Sequence, residues 1–296
     1  MKILVTGGTG FLGGHLLFEL DGHDVHCTNG NLIYERFNPE GFDCVIHLAA
    51  KCGGIGANQK RPGEFIYDNL MMGLNVIEGC RLAKVKRLIL IGTVCSYPEI
   101  TPTPFSEESL WNGYPEPTNA PYGIAKRTLF EVAKAYRAQY GLQTTCLIPA
   151  NLYGPGDNFD PETSHVIPAM IRKFVEAKES GDRVVTLWGT GKATREFLYV
   201  KDCANAIGMA AQTSFDLEGP YNIGTGEKIG IYLLARKIAG IVGYEGSILW
   251  DSSKPDGQMS RNLYTGRAEY DFGFKAKVGL YDGLKETVKW YMENRG

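Results

Sequence analysis

Short apolar runs alternate with longer stretches of helical periodicity over the first half of the chain. Runs of apolar and β-branched residues predict strands over 2–6, 24–28, 43–50, 86–92 and 144–150. Apolar spacing at i, i+3, i+4 and i+7 predicts helices over 10–20, 64–83 and 122–140. Because the strands are apolar throughout and alternate with helices, the pattern predicts an α/β fold with a doubly wound parallel sheet.

After residue 150 the alternation loosens. The sequence predicts a long polar loop over 151–165, a helix from 166 to 177, a strand at 184–188, a strand followed by a helix over 195–212, and a terminal helix at 282–294. The loosening predicts a smaller, mixed α/β domain that is built from C-terminal segments and interleaved with the first.

Composition excludes several classes of protein. The 296 residues are 44% apolar and 22% charged, with a net charge of −2, so no basic surface for nucleic acid or anionic membrane is expected. Neither a signal peptide nor a run of about 20 apolar residues is present, which predicts a cytoplasmic protein. The seven cysteines include no C-x-x-C pair and the five histidines no H-x-x-x-H pair. This predicts reduced thiols and no metal site.

A glycine-rich turn, TGGTGFLG at 6–13, follows the first strand and opens a helix. Gly7, Gly10 and Gly13 fit a dinucleotide-binding turn, in which backbone approaches a pyrophosphate at the helix N-terminus. The alternative is a purely structural tight turn. The turn predicts a Rossmann-type dinucleotide-binding domain over 1–152 plus about 196–223. The second domain would then comprise 153–195 and 224–296.

The choice between NAD and NADP stays open at this stage. The acidic residue that binds the ribose 2′-hydroxyl in NAD-binding proteins is missing about 20 residues after the turn, where Asn29 and Asn31 stand. No arginine stands beside them to hold a 2′-phosphate, although Arg36 follows closely.

The stretch YGIAK places Tyr122 and Lys126 four residues apart on one helix face. A neighbouring ammonium is expected to lower the pKa of a tyrosine, which is about 10 in isolation. Thr93, at the end of the strand before, can hydrogen-bond the same substrate oxygen. The three residues predict a proton-transfer set, against the alternative of a surface tyrosine beside a lysine.

Together these features resemble the extended short-chain dehydrogenase/reductases, and particularly the GDP-L-fucose synthase subgroup. The resemblance is carried by the stretches HLAAKCGGIGANQKRPGEFIYDN (47–69), GTVCSYP (92–98), EPTNAPYGIAK (116–126), NLYGPGDNF (151–159), SHVIPAMIRK (164–173), WGTGKATREFLYVKD (188–202) and KPDGQMSR (254–261). It implies a Rossmann domain with a small C-terminal domain that holds a nucleotide sugar.

The resemblance also implies a reaction, in which C3 and C5 of GDP-4-keto-6-deoxy-D-mannose are epimerised and C4 is then reduced by NADPH. Cys95 and His165 match the acid/base pair of the subgroup, and their ordinary pKa values, about 8.5 and about 6.5, suit reversible proton transfer. Without the resemblance, Cys95 is more simply a buried packing residue and His165 an ordinary residue at a helix start.

Further sites follow from the same resemblance. The cofactor-binding residues it implies are Gly7, Gly10, Phe11, Leu12, Gly13, Asn31, Leu32, Leu48, Ala49, Ala50, Tyr122, Lys126, Pro149, Asn151, Leu152 and His165. The substrate-binding residues it implies are Asn151, Val166, Lys173, Trp188, Arg195, Asp256 and Arg261. It also implies a homodimer formed through the helices at 64–83 and 122–140.

Three positions depart from the subgroup. Thr93 replaces a serine and keeps the hydroxyl, Lys173 replaces an arginine, and Asn29 replaces an arginine that would favour NADP.

Other functions stay open. A related enzyme could only reduce, or only epimerise, a similar GDP-keto sugar such as a heptose. An NAD-dependent 4-epimerase or a dehydratase would not need Cys95 and His165 together. A redox-sensing binding protein without turnover would not need Tyr122 and Lys126.

Overall fold

The computed structural model describes residues 1–28 and 30–295. The strands are β1 Lys2–Thr6, β2 Asp24–Thr28, β3 Cys44–His47, β4 Arg87–Ile91, β5 Gln143–Pro149, β6 Asn151–Tyr153, β7 Val184–Trp188, β8 Thr194–Arg195, β9 Phe197–Tyr199, β10 Pro220–Ile223, β11 Ile229–Gly230 and β12 Ser247–Asp251. The helices are α1 Phe11–Glu19, α2 Ile55–Lys60, α3 Pro62–Leu82, α4 Ala120–Tyr140, α5 Val166–Ser180, α6 Val200–Gln212, α7 Ile231–Val242, α8 Gly266–Phe272 and α9 Leu280–Asn294. Short 3-10 helical turns cover Val94–Ser96 and Glu107–Trp111.

A six-stranded parallel sheet forms the centre of the molecule, with the strand order β10-β5-β4-β3-β1-β2. The chain passes from β1 to β2 on one side and then to β3 on the other, so the strand order reverses between β1 and β3. Ligands of such sheets bind beyond the carboxyl ends of the strands at this reversal. The Rossmann-type α/β prediction is confirmed.

Helices cover both faces of the sheet. The contacts pair α1 with α6 and α3 with α4. The central strands β1, β3 and β4 are almost entirely buried, which explains why they read as continuous apolar runs.

A second hydrophobic core lies among the C-terminal segments. It joins α5, α7 and α9 through Phe174, Leu234, Ile238 and Leu284, while β7 and β12 pair beside it. The sheet and its helices form the other core. The division of the chain at residues 152, 196 and 223 stays a prediction, and two separate cores support it.

Two elements differ from the sequence-based prediction. The third strand ends at His47 rather than Ala50, because Leu48 and Ala49 turn to donate their N–H groups to the carbonyl and hydroxyl of Thr6. The polar stretch predicted as loop over 151–165 begins with strand β6, which pairs with β9. Among the described residues, no helix combines the length and apolar character needed to cross a bilayer.

Candidate active site

The glycine turn lies at the reversal of strand order, between β1 and α1. Gly7 has φ +73°, and a Cβ at this residue would lie 2.7 Å from the backbone nitrogen of Ala49. A Cβ on Gly13 would overlap the carbonyl of Gly7. Both positions therefore require glycine, one for conformation and contact and the other for close helix packing.

The turn fits a dinucleotide pyrophosphate. Helix α1 begins after Gly10, and no side chain caps its N-terminus, so the first backbone N–H groups remain available for an anion. Phe11 and Leu12 in this first turn are half-buried, as are Leu48, Ala49 and Ala50 across the crevice. The predicted cofactor residues on these two segments thus face each other.

The other predicted cofactor residues have mixed positions. Asn31 is exposed after β2, whereas the side chain of Leu32 belongs to the core. Pro149 is buried at the end of β5 and Leu152 is half-buried. Asn151 donates its amide to the carbonyl of Glu196 at 2.8 Å. The prediction about Asn29 lies outside the described residues.

Thr93, Cys95 and Tyr122 meet beyond the end of β4. Thr93 caps the short turn that follows, its Oγ1 accepting from the backbone N–H of Cys95 at 3.2 Å, and its hydroxyl lies close enough to the phenol of Tyr122 to influence its pKa. Helix α4 packs so close to the end of β4 that a Cβ on Gly123 would overlap the carbonyl of Cys95. Gly123, the second residue of YGIAK, therefore fixes the tyrosine beside the strand end.

The pKa of Tyr122 differs from the sequence-based expectation. Burial raises it well above its ordinary value, the nearby Cys52 raises it further, and the nearby hydroxyl of Thr93 opposes these effects. Burial also lowers the pKa of Lys126, whose ammonium donates to the carbonyl of Ile91 at 3.0 Å. The expected lowering of the tyrosine pKa by Lys126 is wrong here, because burial outweighs it. Tyr122 therefore holds its proton at neutral pH.

Cys52 is a site residue that the sequence analysis missed. Its thiol sulfur lies 3.3 Å from the phenolic oxygen of Tyr122. In the sequence it is one of seven scattered cysteines, and only the position of the segment after β3 places it there. Two thiols, Cys52 and Cys95, thus flank the tyrosine.

Two buried arginines lie beside Cys95. Arg261 donates to the sulfur of Cys95 at 3.4 Å and to the amide oxygen of Gln258 at 2.8 Å. Arg195 donates to the carbonyls of Thr194 and Asp256. Burial and the charge of Arg261 lower the pKa of Arg195 to about 10, so it stays cationic at neutral pH. Among the described residues, no carboxylate lies within salt-bridge distance of either guanidinium.

The remaining predicted substrate residues line the adjoining segments. The ring of Trp188 is 54% exposed and is in van der Waals reach of Gly56, with the ammonium of Lys254 5.4 Å from its centroid. Lys173 donates to the carbonyl of Thr186. Both carboxylate oxygens of Asp256 accept hydrogen bonds from Thr190, and its backbone carbonyl accepts from Arg195. Val166 is half-buried in the first turn of α5.

His165 is the N-cap residue of α5. The loop before it contacts the segment that follows Cys52. The backbone N–H of Gly54, two residues after Cys52, donates to the carbonyl of Thr163 at 3.2 Å. The imidazole is open to solvent, yet the surrounding protein lowers its pKa below its ordinary value by desolvation. Within the described ranges its side chain forms no hydrogen bond to Tyr122 or Cys95.

Asp157 lies buried in the loop that leads to His165. One carboxylate oxygen accepts from the backbone N–H of Asn158 at 2.7 Å, while the other has no partner among the described residues. Burial raises the pKa of Asp157 to about 7. The pKa of Asp157 is therefore higher in the folded protein than in the unfolded chain. Its contribution to the free energy of unfolding is fully present below about pH 4 and is lost as the pH rises through 7.

We therefore expect the Asp157→Asn substitution to stabilise the protein at pH 8.5 and to stabilise it much less at pH 5, where only part of the loss has occurred. The amide keeps the acceptor for Asn158 without a buried charge, and the expected gain is on the order of a few kcal/mol. Thermal unfolding followed by circular dichroism at both pH values measures it. Asp160→Asn, an exposed neighbour whose pKa is lowered by the Thr163 hydroxyl, is the control and should destabilise slightly at both values. An equal gain for Asp157→Asn at pH 5 would contradict the account.

The fold and this site define a dinucleotide-dependent oxidoreductase or epimerase. A dinucleotide turn lies at the reversal of a parallel sheet, and a threonine and a tyrosine meet beyond the end of β4. The chain belongs to the NAD dependent epimerase/dehydratase family, whose model matches residues 3–224.

Known relatives resemble it over nearly the whole chain. The probable GDP-L-fucose synthase 1 of Oryza sativa subsp. japonica is 44% identical, covering 99% of this chain and 92% of the relative. A crystal structure of a GDP-6-OMe-4-keto-L-xylo-heptose reductase from C. jejuni superposes with a TM-score of 0.89 at 29% identity, covering 99% and 98%. A crystal structure of a GDP-L-fucose synthetase from Naegleria fowleri bound to NADP superposes with a TM-score of 0.85 at 29% identity, covering 99% of this chain and 94% of that chain.

Proposed function

We propose that the protein epimerises C3 and C5 of GDP-4-keto-6-deoxy-D-mannose and then reduces C4, forming GDP-L-fucose. The observation that carries this proposal is the thiol of Cys95 beside the Thr93–Tyr122 pair. A reductase needs only a pair that binds and protonates the carbonyl oxygen, whereas epimerisation also needs a base next to it. The GDP-L-fucose synthases of Oryza sativa and Naegleria fowleri support the same activity.

The hydroxyls of Thr93 and Tyr122 would stabilise charge on the C4 oxygen of the sugar. C3 and C5 both adjoin the C4 ketone, and their protons become acidic only when the enolate that forms is stabilised. Since Thr93 and Tyr122 lie close together beyond the end of β4, an oxygen bound near both would meet two hydroxyl donors.

Cys95 and His165 would carry the two protons of each inversion. Inversion requires a base on one face of the sugar carbon and an acid on the other. Cys95 lies just after the end of β4, whereas His165 lies on a separate loop at the start of α5. This arrangement supports proton transfer on opposite faces of the sugar carbon. The guanidinium of Arg261 lies 3.4 Å from the sulfur of Cys95, so the proposed base has a cation beside it.

The C4 reduction would use Tyr122 as the proton donor. A bound nicotinamide dinucleotide supplies the hydride, and the Naegleria fowleri relative that carries NADP supports NADPH as one donor. The raised pKa of Tyr122 keeps the phenol protonated until charge develops on the C4 oxygen. The ammonium of Lys126, buried one helical turn further on, would bind the dinucleotide ribose and stabilise the phenolate that remains.

The nucleotide diphosphate would bind at Arg195 and Arg261. Two buried guanidiniums without a carboxylate partner favour a polyanion, and Lys173 adds a cation at the adjoining strand. The exposed face of Trp188 would stack on the sugar or the guanine base.

A second candidate is the reduction of a related GDP-keto-heptose. The high structural similarity to the C. jejuni heptose reductase favours it. That reaction uses Thr93 and Tyr122 in the same way but does not need a base beside them.

We also propose a cytoplasmic homodimer. The cysteines carry free thiols, as is usual in reducing compartments. Helices α3 and α4 pack together and leave Tyr67, Leu74, Leu82 and Tyr140 exposed, which supports an apolar interface with a second copy.

Incubating the purified protein with GDP-4-keto-6-deoxy-D-mannose and a reduced nicotinamide dinucleotide tests the proposal. We expect one dinucleotide to be oxidised for each GDP-L-fucose formed, with the sugar identified by NMR. Oxidation only with a GDP-keto-heptose would favour the second candidate. Failure of either sugar to oxidise the dinucleotide would favour a protein that binds without turnover.

A further inference from the structure

The carboxyl end of β2 decides which dinucleotide a Rossmann domain prefers. In this protein Thr28, the last residue of β2, pairs with Thr6, which precedes the glycine turn. The 2′ position of the adenine ribose is bound just beyond this strand. An acidic side chain there accepts a hydrogen bond from the 2′-hydroxyl of NAD, whereas an arginine holds the 2′-phosphate of NADP.

The side chain of Glu35 folds back to this strand end. Its Oε2 accepts from the backbone N–H of Asn31 at 3.3 Å. The same oxygen lies 3.6 Å from the position of a Cβ on Gly30, as does Oγ1 of Thr28. The carboxylate therefore returns to the end of β2 although Glu35 is seven residues further along the chain, which is why the sequence spacing missed it.

The backbone holds the glutamate in this position. The N–H of Glu35 donates to the carbonyl of Asn31 at 2.9 Å and so closes a turn. The amide of Asn75 on α3 donates to the carbonyl of Leu32 at 2.8 Å and fastens the turn to this helix. The carboxylate itself remains exposed to an incoming ligand.

The arginine that is nearest in sequence to the end of β2 is Arg36, and its charge acts at another part of the structure. Between residues 24 and 35 the sequence contains neither lysine nor arginine. Arg36 lines a cavity with Phe37 and Gly79, and Gly79 lies about one helical turn further along α3 than Asn75. There its charge adds to that of Arg81 in lowering the pKa of Glu78. The charge of Arg36 thus acts at this part of α3, whereas the carboxylate of Glu35 places a negative charge among the described residues at the end of β2.

We infer that Glu35 selects the dinucleotide by accepting a hydrogen bond from the 2′-hydroxyl of NADH and repelling the 2′-phosphate of NADPH. The protein then binds NADH more tightly than NADPH, in contrast to the NADP carried by its Naegleria fowleri relative. A phosphate monoester carries about −1.5 to −2 charges at pH 7, so the repulsion at this exposed site is strong at low salt. The inference rests on the proposed function only in that the chain uses a nicotinamide dinucleotide.

Binding of NADH and of NADPH to the full-length protein, measured separately by titration calorimetry without sugar substrate, tests the inference. We expect NADH to bind at least about tenfold more tightly at low salt, and the difference to shrink as salt screens the repulsion. In the Glu35→Gln protein NADPH should bind about tenfold more tightly than in the wild type, with NADH changed less. Glu40→Gln, an exposed carboxylate in the same segment, is the matched control and should change neither.

Tighter binding of NADPH by the wild type, or an unchanged affinity ratio in the Glu35→Gln protein, would overturn the inference. The salt dependence needs no variant, so a folding defect in Glu35→Gln would leave the test intact. Sugar turnover reports separately on the proposed function. A protein that prefers NADH but converts no GDP-sugar would keep the inference and lose the function.

Discussion

The Tyr122→Phe protein is expected to lose roughly 10²–10⁴-fold in kcat for C4 reduction, the range for removal of a general acid. The phenol is the proposed donor of a proton to the C4 oxygen, and its raised pKa keeps that proton available. Phenylalanine preserves the edge-to-face contact of the ring with Phe65, whose centroid lies 6.3 Å away, so the fold should persist. Oxidation of the reduced dinucleotide at saturating sugar measures the loss.

Tyr136→Phe is the matched control on the same helix. Its hydroxyl donates to Glu78, on the α3 side of α4 and away from Thr93, so its removal should leave kcat unchanged. A Tyr122→Phe protein with the wild-type rate would show that another group protonates the sugar.

Replacing Cys95 with serine, or His165 with glutamine, should slow exchange of the C3 and C5 protons by roughly 10²–10⁴-fold. Each substitution removes one member of the acid/base pair, while Thr93 and Tyr122 remain to bind the carbonyl. Hydride transfer to C4 should therefore continue on sugar that has not been epimerised. NMR of the sugar recovered from heavy water measures the exchange.

Cys52→Ser distinguishes between the two thiols that flank Tyr122. Cys95 has the guanidinium of Arg261 on its sulfur, whereas Cys52 contacts the phenol. We therefore expect exchange to survive the loss of the Cys52 thiol. Exchange that depends on Cys52 and not on Cys95 would reverse the assignment.

The sequence predicted the parts of this site that are local. The glycine turn after β1, and Tyr122 with Lys126 on α4, follow from spacings of a few residues, and the hydrophobic periodicity identified the strands that place them. Thr93 followed in the same way from the end of an apolar run.

Contacts between distant segments could not be read from spacing. Arg261 reaches Cys95 across 166 residues, and Cys52 meets Tyr122 across 70. Glu35 lies at the wrong spacing from the glycine turn, and only the closed turn with Asn31 returns its carboxylate to β2. The pKa of Tyr122 was predicted in the wrong direction because burial of the helix start depends on the whole fold.

The most direct test of the proposed function is conversion of GDP-4-keto-6-deoxy-D-mannose with NADH or NADPH in heavy water. The account predicts GDP-L-fucose that carries deuterium at both C3 and C5 and hydride-derived protium at C4. A product reduced at C4 with no deuterium at C3 or C5 would contradict it, because Cys95 and His165 would then take no part in proton transfer.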